Sequence, residues 1–408
     1  MSQNNKRTTH KYVCSIDTEE KFLSSSPILR QGTYAHKWDI PVDSDLIPLS
    51  VADMDFRVSP HIQAALHESI SHGIFGYPKI PEKYYHVFIK WSQIRHNFYV
   101  KRDWLICASG IVPSITAAIT AVARKGEGVI IQEPVYNRFR ICIENAGYQV
   151  IVNELSYKNG AWSIDFEDLE CKAARPDSRV LLLCNPHNPI GRVWKHNELA
   201  KIGTICRKHD VVVISDESHC DFIYGKTPHI PFTRVKGNDN CQVMMCFSPG
   251  KTFNISGLRQ ATIVIPCEQL RLTISKELEK ISADDINTLA IYSQIAAYGE
   301  SETWFEEVWQ YIYTNYLLTK RFLNRYFPEC LLSPLEGTYL LWVDVSGTGL
   351  NGDQAADLLE NVTHIQVNKG TMYGSAGTGF VRINLACHRS VLKEALLRLK
   401  DLPETGLM

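Results

Sequence analysis

Seven short runs of consecutive apolar, largely β-branched residues punctuate the middle of the chain: WLICASG from 104, GVIIQEP from 128, YQVIVNEL from 148, RVLLLCNP from 179, VVVISDE from 211, CQVMMCFS from 241 and ATIVIP from 261. Each is too short for a typical helix and has no polar face, which is the pattern of a strand covered on both sides. Between several of them the apolar period lengthens to that of a helix, as in PSITAAITAVARKG and ELAKIGTICRKHD. Strand and helix in alternation require crossover connections, and these predict a mostly parallel sheet sandwiched by helices.

The pattern changes after about residue 300, where SETWFEEVWQYIYTNYLLTKRFLNRYF is long, aromatic and helical in period. Strand-like GTYLLWVDVSG, THIQVNKG and GFVRINLAC follow, then a helical SVLKEALLRLKDL. The expectation is an α/β fold: a large domain at 56–300 built on a seven-stranded sheet, and a smaller α+β domain at 301–408, with an N-terminal segment, 1–55, packing on the smaller one. The length of 408 residues agrees with two units, since single hydrophobic cores stop growing at roughly 250 to 300 residues. No internal repeat or low-complexity segment interrupts the pattern.

Composition narrows the function classes. With 45% hydrophobic and 21% charged residues and a formal net charge of −1, the chain has the balance of an ordinary globular protein. It lacks the basic excess of a nucleic-acid or anionic-membrane partner. The twelve cysteines lie mostly within apolar runs and include no Cys-x-x-Cys pair, which points to buried reduced thiols rather than a disulfide or metal framework. The opening MSQNNKRTTHKYVCS has no apolar core, and no apolar run reaches the roughly 18 residues of a membrane span. A cytoplasmic enzyme is the expectation, without a metal.

In an open α/β sheet the ligand crevice lies at the carboxyl ends of the strands. Five of the runs end in small, polar or turn-forming residues: SGIVPS at 109, EPVYNRF at 133, NPHNPIG at 185, DESH at 216 and SPGK at 248. Asp216 and Lys251 close two of these ends. One reading is a structural ion pair, which for an arbitrary buried pair is the more common case. The other is a Schiff-base lysine with a depressed pKa, joined to a cofactor whose pyridine nitrogen is held protonated by the aspartate. Pyridoxal phosphate is an electron sink only with that nitrogen protonated, so a lysine and an aspartate in one pocket suit it. Backbone amides of Gly110, Ile111 and Val112, at the start of a helix, could receive its phosphate, unless SGIVPS is a plain capping turn. The Ser248 hydroxyl and the Arg259 charge could assist, although a lone arginine is more often a surface residue. Tyr136 could stack on a planar ring or be simple core. The two prolines of NPHNPIG stiffen the segment that would hold the Asn188 amide toward a phenolate oxygen.

In this order the motifs resemble the fold type I pyridoxal-phosphate enzymes of the aspartate aminotransferase superfamily, over nearly the whole chain. Within it the chain is similar to the MalY/PatB branch of cystathionine β-lyases and related carbon-sulfur lyases. The stretches that carry this likeness are RQGTYAHKWD at 30, VADMDF at 51, GIFGYP at 73, SGIVPSI at 109, NPHNPIGRVW at 185, SDESHCDF at 215, KTFNISGL at 251, EGTYLLWVD at 336 and FVRINLACHR at 380. The resemblance implies that Lys251 carries the cofactor and shuttles a proton, that Asp216 pairs with the pyridine nitrogen and that Asn188 holds the ring oxygen. It assigns Tyr136 to the ring face and Gly110, Ile111, Ser248 and Arg259 to the phosphate. Arg382 falls where the family binds the substrate α-carboxylate. Tyr77 matches a tyrosine presented across a homodimer interface to the partner's cofactor.

The chain departs from the branch at Gly250, where serine is usual, at Ser50, where a large aromatic is frequent, and at Cys387-His388-Arg389, where cysteine-proline-arginine is the rule. These changes bear on the substrate pocket. The resemblance implies β-elimination from cystathionine or another cysteine S-conjugate, giving thiol, pyruvate and ammonia. Transamination of an apolar or aromatic amino acid would use the same cofactor set, and a binding protein that keeps the fold is a third class. A dicarboxylate aminotransferase would need a second arginine, and ISADDINTLAIYSQIAAYG, where that family places one, contains none.

Overall fold

The computed structural model describes residues 23–39 and 45–402. The remaining residues of the N-terminal segment, including the opening fifteen, lie outside the described residues.

All seven apolar runs become strands of one sheet: β1 (Leu105–Ala108), β2 (Gly128–Ile131), β3 (Gln149–Val152), β4 (Ser178–Cys184), β5 (Val212–Asp216), β6 (Val243–Phe247) and β7 (Ala261–Val264). Their order is β1-β7-β6-β5-β4-β2-β3. Every neighbouring pair is parallel except those made by β7, which runs antiparallel to both β1 and β6. The sheet is thus mixed but mostly parallel, and its central strands β4, β5 and β6 are buried along nearly their whole length. That burial is why they carry no alternation of polar and apolar positions.

Helices cover the sheet. Those the site depends on are α1 (Pro60–His72), α2 (Glu82–His96), α3 (Ile111–Val122), α4 (Arg138–Asn145), the single turn α5 (Pro249–Thr252), α6 (Thr288–Glu300) and α7 (Glu302–Tyr326). The 25 residues of α7 realise the long aromatic pattern after residue 300, burying Trp304, Phe305, Trp309 and Tyr316. A second, antiparallel sheet follows, from β8 (Leu331–Leu332), β9 (Leu340–Asp344), β10 (Asn368–Lys369) and β11 (Phe380–Asn384), in the order β8-β9-β11-β10. Arg382 sits on β11 opposite Trp342 on one side and Asn368 on the other. No helix among the described residues is long and apolar enough to cross a membrane.

The stretch from 45 to 56 runs between the two sheets. Ile47–Pro48 pairs in parallel with Ile365–Gln366, and Asn384 donates its backbone N–H to Leu49 O at 2.8 Å and its side-chain amide to the carbonyls of Val51 and Asp53 at 2.6 and 2.7 Å. From the other side Asn254 accepts from Met54 N at 3.0 Å and donates to the carbonyls of Met54 and Phe56 at 3.0 and 2.8 Å. Asn254 adopts φ 58°, a left-handed conformation that asparagine tolerates better than most residues. Irregular backbone buried in this way needs side-chain partners, and two asparagines provide them.

Asn254→Ala leaves three backbone groups without these partners and places alanine at a positive φ. The expected loss is about 2–3 kcal/mol, read as a lower midpoint in denaturant unfolding followed by tryptophan fluorescence. A midpoint equal to that of the wild type would show that Asn254 does not anchor the segment.

Candidate active site

The carboxyl ends of β1, β2, β4, β5 and β6 open onto one cavity of about 420 Å³. Asp216 ends β5, in register with Cys184 on β4 and Cys246 on β6. Its carboxylate is buried, and Oδ1 accepts from the backbone N–H of Ser218 at 3.0 Å. Burial in this apolar register pushes the Asp216 carboxyl up, against the opposing pull of that hydrogen bond and of Lys251. A buried carboxylate with this bias gains from a cationic partner.

Lys251 follows β6 on the single turn α5. Ser248 starts that turn: its Oγ accepts from Gly250 N at 3.1 Å and donates to Gln260 O at 2.7 Å. Gly250 sits in a tight spot, where a Cβ would stand 3.0 Å from Ser256 Oγ and 3.1 Å from Ser248 Oγ, so that a larger residue would need these neighbours to shift by a few tenths of an ångström. The Lys251 Nζ donates to the carbonyl of Ala52 at 2.5 Å, and Tyr339 Oη donates to the same carbonyl at 3.0 Å. Desolvation, aided by the charge of Arg382 and only partly opposed by Asp53 and Asp216, brings the Lys251 ammonium down to about 8. The amine is therefore neutral in a substantial fraction of molecules near physiological pH.

Beneath this turn lies a buried polar chain. Thr252 Oγ1 donates to Asp221 Oδ2 at 2.6 Å, while Asp221 Oδ1 accepts from Trp91 Nε1 at 3.0 Å and lies 2.9 Å from His96 Nε2. His229 Nδ1 is 3.3 Å from His96 Nδ1 and His229 Nε2 is 2.8 Å from Glu217 Oε2. Burial alone would raise the Asp221 carboxyl, but His96, Arg95 and Thr252 outweigh it and bring it to about 2. This chain clamps the residue after Lys251 to the segment after Asp216. His96, Cys220 and Asp221 hold possible ligand atoms within 4.8 Å of one another, yet His96 and Asp221 already use theirs on each other and on their neighbours.

The anion-receiving end of the cavity is formed at the start of α3. Gly110 precedes it with φ 139°, in the region that favours glycine, and Ile111 and Val112 open the helix and line the cavity with it. Ser248, Ser256 and Arg259 line the same cavity. Tyr136 and Asn188 also line it, on segments tied together by His187, whose Nε2 lies 2.8 Å from the carbonyl of Pro134. Arg382 is buried, donates to Asn188 Oδ1 at 3.1 Å and to Ser50 O at 2.8 Å, and stacks 4.9 Å from the Tyr373 ring centre. Its Nε is buried without a partner among the described residues, which leaves a donor for a ligand.

Nine residues singled out from the sequence thus share one cavity, and a tenth, Arg382, adjoins it through Asn188. Tyr77 does not join them: it is fully exposed on its own chain. Four contributors carried no signal of their own. The Ala52 carbonyl comes from a distant irregular segment, and Asp221 is one acidic residue among many. Arg138 also lines the cavity. His219, three residues after Asp216, lines it too, with a buried Nδ1 that has no partner among the described residues. Burial, then the charges of Lys251 and Arg382, hold the His219 imidazole well below its ordinary range, so it is neutral.

A cavity with an amine of lowered pKa, a buried carboxylate, a helix start flanked by hydroxyls and an arginine, and an aromatic ring fits a flat, phosphorylated aromatic aldehyde. Comparison with known proteins agrees. The family model described as aminotransferase class I and II matches residues 44–399. The cystathionine beta-lyase PatB of Bacillus subtilis is 35% identical over 375 residues, spanning 91% of this chain and 97% of that one. Protein MalY of Escherichia coli is 30% identical over 383 residues, spanning 92% and 97%. Cystalysin of Treponema denticola, whose crystal structure contains pyridoxal 5'-phosphate, superposes with a TM-score of 0.90 at 32% identity, covering 94% of this chain and 99% of that one.

In the ligand-free chain, acetylation of Lys251 by acetic anhydride is expected to rise with pH around a midpoint of about 8, read by peptide mass spectrometry. Arg382→Gln removes a cation whose charge lowers this amine and moves the midpoint upward. A midpoint at the ordinary lysine value in the wild type would contradict the burial and charge balance described for this amine.

Proposed function

Because the chain belongs to the aminotransferase class I and II family, we propose that it is a pyridoxal-phosphate-dependent carbon-sulfur β-lyase, acting on cystathionine or another cysteine S-conjugate. The observation that carries this reading is the shared cavity in which Lys251, with its amine near 8, stands with the buried carboxylate of Asp216. Full-length likeness to relatives named as cystathionine beta-lyases selects the lyase within the family.

Lys251 would hold the cofactor aldehyde, and Asp216 would hold its ring nitrogen protonated. Asn188 would meet the ring oxygen and Tyr136 the ring face. Gly110, Ile111, Val112, Ser248 and Arg259 would receive the phosphate. When bound, pyridoxal phosphate supplies an electron sink that acidifies the α-proton of a substrate amino acid. The Arg382 guanidinium, with a spare Nε, orients the substrate α-carboxylate bidentately, which a lysine could not do. The Lys251 amine, once free and neutral, takes the α-proton from Cα. The C–H electron pair forms the Cα–Cβ double bond, the Cβ–S bond breaks with its pair on sulfur, and the departing thiolate takes up a proton. Water then converts the released enamine to pyruvate and ammonia.

We further infer a homodimer with shared clefts. Ile74, Phe75 and Tyr77, which lie together in the chain, are exposed, as is Tyr34, and a run of exposed aromatic and apolar side chains suits an interface. A cytoplasmic setting fits the cysteines, since all eleven among the described residues are free thiols.

With cofactor bound, S-alkylcysteine or cystathionine should release pyruvate. Lys251→Ala should abolish both turnover and the visible absorbance of the bound cofactor. Asp216→Ala should retain cofactor yet lose most of the rate, on the order of a hundredfold or more. Formation of a ketoacid and pyridoxamine phosphate in place of pyruvate would select the aminotransferase, and a colourless protein that does not take up the cofactor would overturn the enzyme reading. For the dimer, light scattering should give twice the chain mass, and Tyr77→Phe should keep that mass while releasing cofactor faster on dilution.

A further inference from the structure

We propose that Arg138 is a specificity-determining residue that receives a carboxylate at the far end of the substrate, so that the cleft favours cysteine conjugates whose sulfur substituent carries a second anionic group. This rests on the lyase reading and names the substrate class within it.

Arg138 is the first residue of α4 and lines the cavity that contains Lys251 and Asp216. The first turn of α4 holds no acidic residue, and Asn137, which precedes it, makes no side-chain capping bond. A cation at the positive end of a helix is disfavoured by the aligned peptide dipoles. Such a position is tolerated most readily where the charge has a use. Arg138 is exposed where it lines the cavity, and no carboxylate among the described residues pairs with it, so its guanidinium is open to a ligand. Its neighbour Arg140 shows the contrast, with Glu133 at 2.6 Å and Glu144 at 3.2 Å.

The charges around the cavity lead to the same assignment. Arg138, Lys251 and Arg259 line it against the single carboxylate of Asp216, and Arg382 adjoins it. Under the proposed function Arg259 serves the phosphate and Arg382 the α-carboxylate. Arg138 remains for a third anion. Burial and the Asp216 charge push the Tyr136 hydroxyl up to about 12, and the cations that pull against them are Arg138 and Arg382. Arg138 therefore shares the electrostatic neighbourhood of the arginine at the substrate end. The cavity also offers the unpartnered, buried Nδ1 of His219, a further polar contact for a substituent longer than a simple alkyl group. The segment 281–299, which contains no arginine, is thus not the only source of a second cation: EPVYNRF supplies one.

The test compares S-(2-carboxyethyl)cysteine with S-propylcysteine, matched in length and differing in the terminal charge, on the cofactor-loaded enzyme. Arg138→Gln should raise KM for the carboxyethyl conjugate roughly tenfold with kcat nearly held, as expected for one exposed charge-assisted contact, and leave S-propylcysteine unchanged; Arg138→Lys should restore part of the loss. Equal effects on both conjugates, or none on either, overturn the proposal. Faster loss of cofactor from Arg138→Gln on dilution also overturns it, by assigning the arginine to the phosphate. A binding readout keeps the two readings separate: 2-aminoadipate should perturb the cofactor absorbance of the wild type at lower concentration than norleucine, and Arg138→Gln should erase that preference. If neither conjugate is cleaved by the wild type, the lyase reading falls, and this titration still decides the role of Arg138.

Discussion

The Lys251 amine is held by a carbonyl and not by a carboxylate, and the chemistry of the cavity depends on that. Had Asp216 been its hydrogen-bond partner, the two charges would have stabilised each other, and the ammonium would have stayed protonated far above neutral pH. With the Ala52 carbonyl as acceptor at 2.5 Å, Lys251 has its hydrogen bond satisfied without a full opposing charge. Desolvation then dominates and the amine comes down to about 8. The carboxylate of Asp216 stays available for a different cation.

This arrangement is only as good as the placement of Ala52, which lies on irregular backbone about 200 residues from Lys251 in sequence. A ring of unrelated segments holds it. Tyr339 donates to the same carbonyl, Asn384 and Asn254 grip the backbone on either side, and Arg30 and Lys37 bind Asp53 and Asp55 just beyond it. Lys37 is itself buried and pairs with Asp55 at 2.7 Å, so breaking one partner of this group would strand a charge. Below, the contact of Thr252 with Asp221 fixes the turn that carries Lys251. The amine is thus positioned from both sides by groups that never touch a ligand.

The sequence was most readable where the physics is local. Strands buried on both faces, such as VLLLC and VVISD, must be continuously apolar, and their ends must turn, so the sheet and the residues at its rim could be located from patterning alone. Lys251 and Asp216 were legible because a charged residue directly after such a run is out of place unless it has a task. Asn384 and Asn254 were not, since their work is to satisfy backbone groups that only the tertiary fold brings near. Arg138 was hidden for a related reason: nothing in EPVYNRF separates an arginine that lines the cavity from a surface one, and only the fold brings the start of α4 to the rim. His219 stood in view within DESH, but nothing in the spacing distinguished a cavity-lining imidazole from a packed one.

The lowered pKa of Lys251 also has a consequence for stability whose sign can be worked out. Between about pH 8 and the ordinary lysine value of 10.5, the unfolded chain binds a proton at this site that the folded chain does not, so the contribution of Lys251 to folding becomes more favourable as pH rises through that window. Below it, both states carry the proton and burial of the ammonium works against folding by roughly 3 kcal/mol at most. A fold with a net stability of only about 5–15 kcal/mol that carries such a cost at one residue must recover it elsewhere. The deeply buried central strands and the aromatic helix α7 supply apolar burial of the kind that can offset it. A lysine at the mouth of a buried strand is therefore destabilising by its position and reactive for the same reason, since the desolvation that opposes folding is what frees the amine.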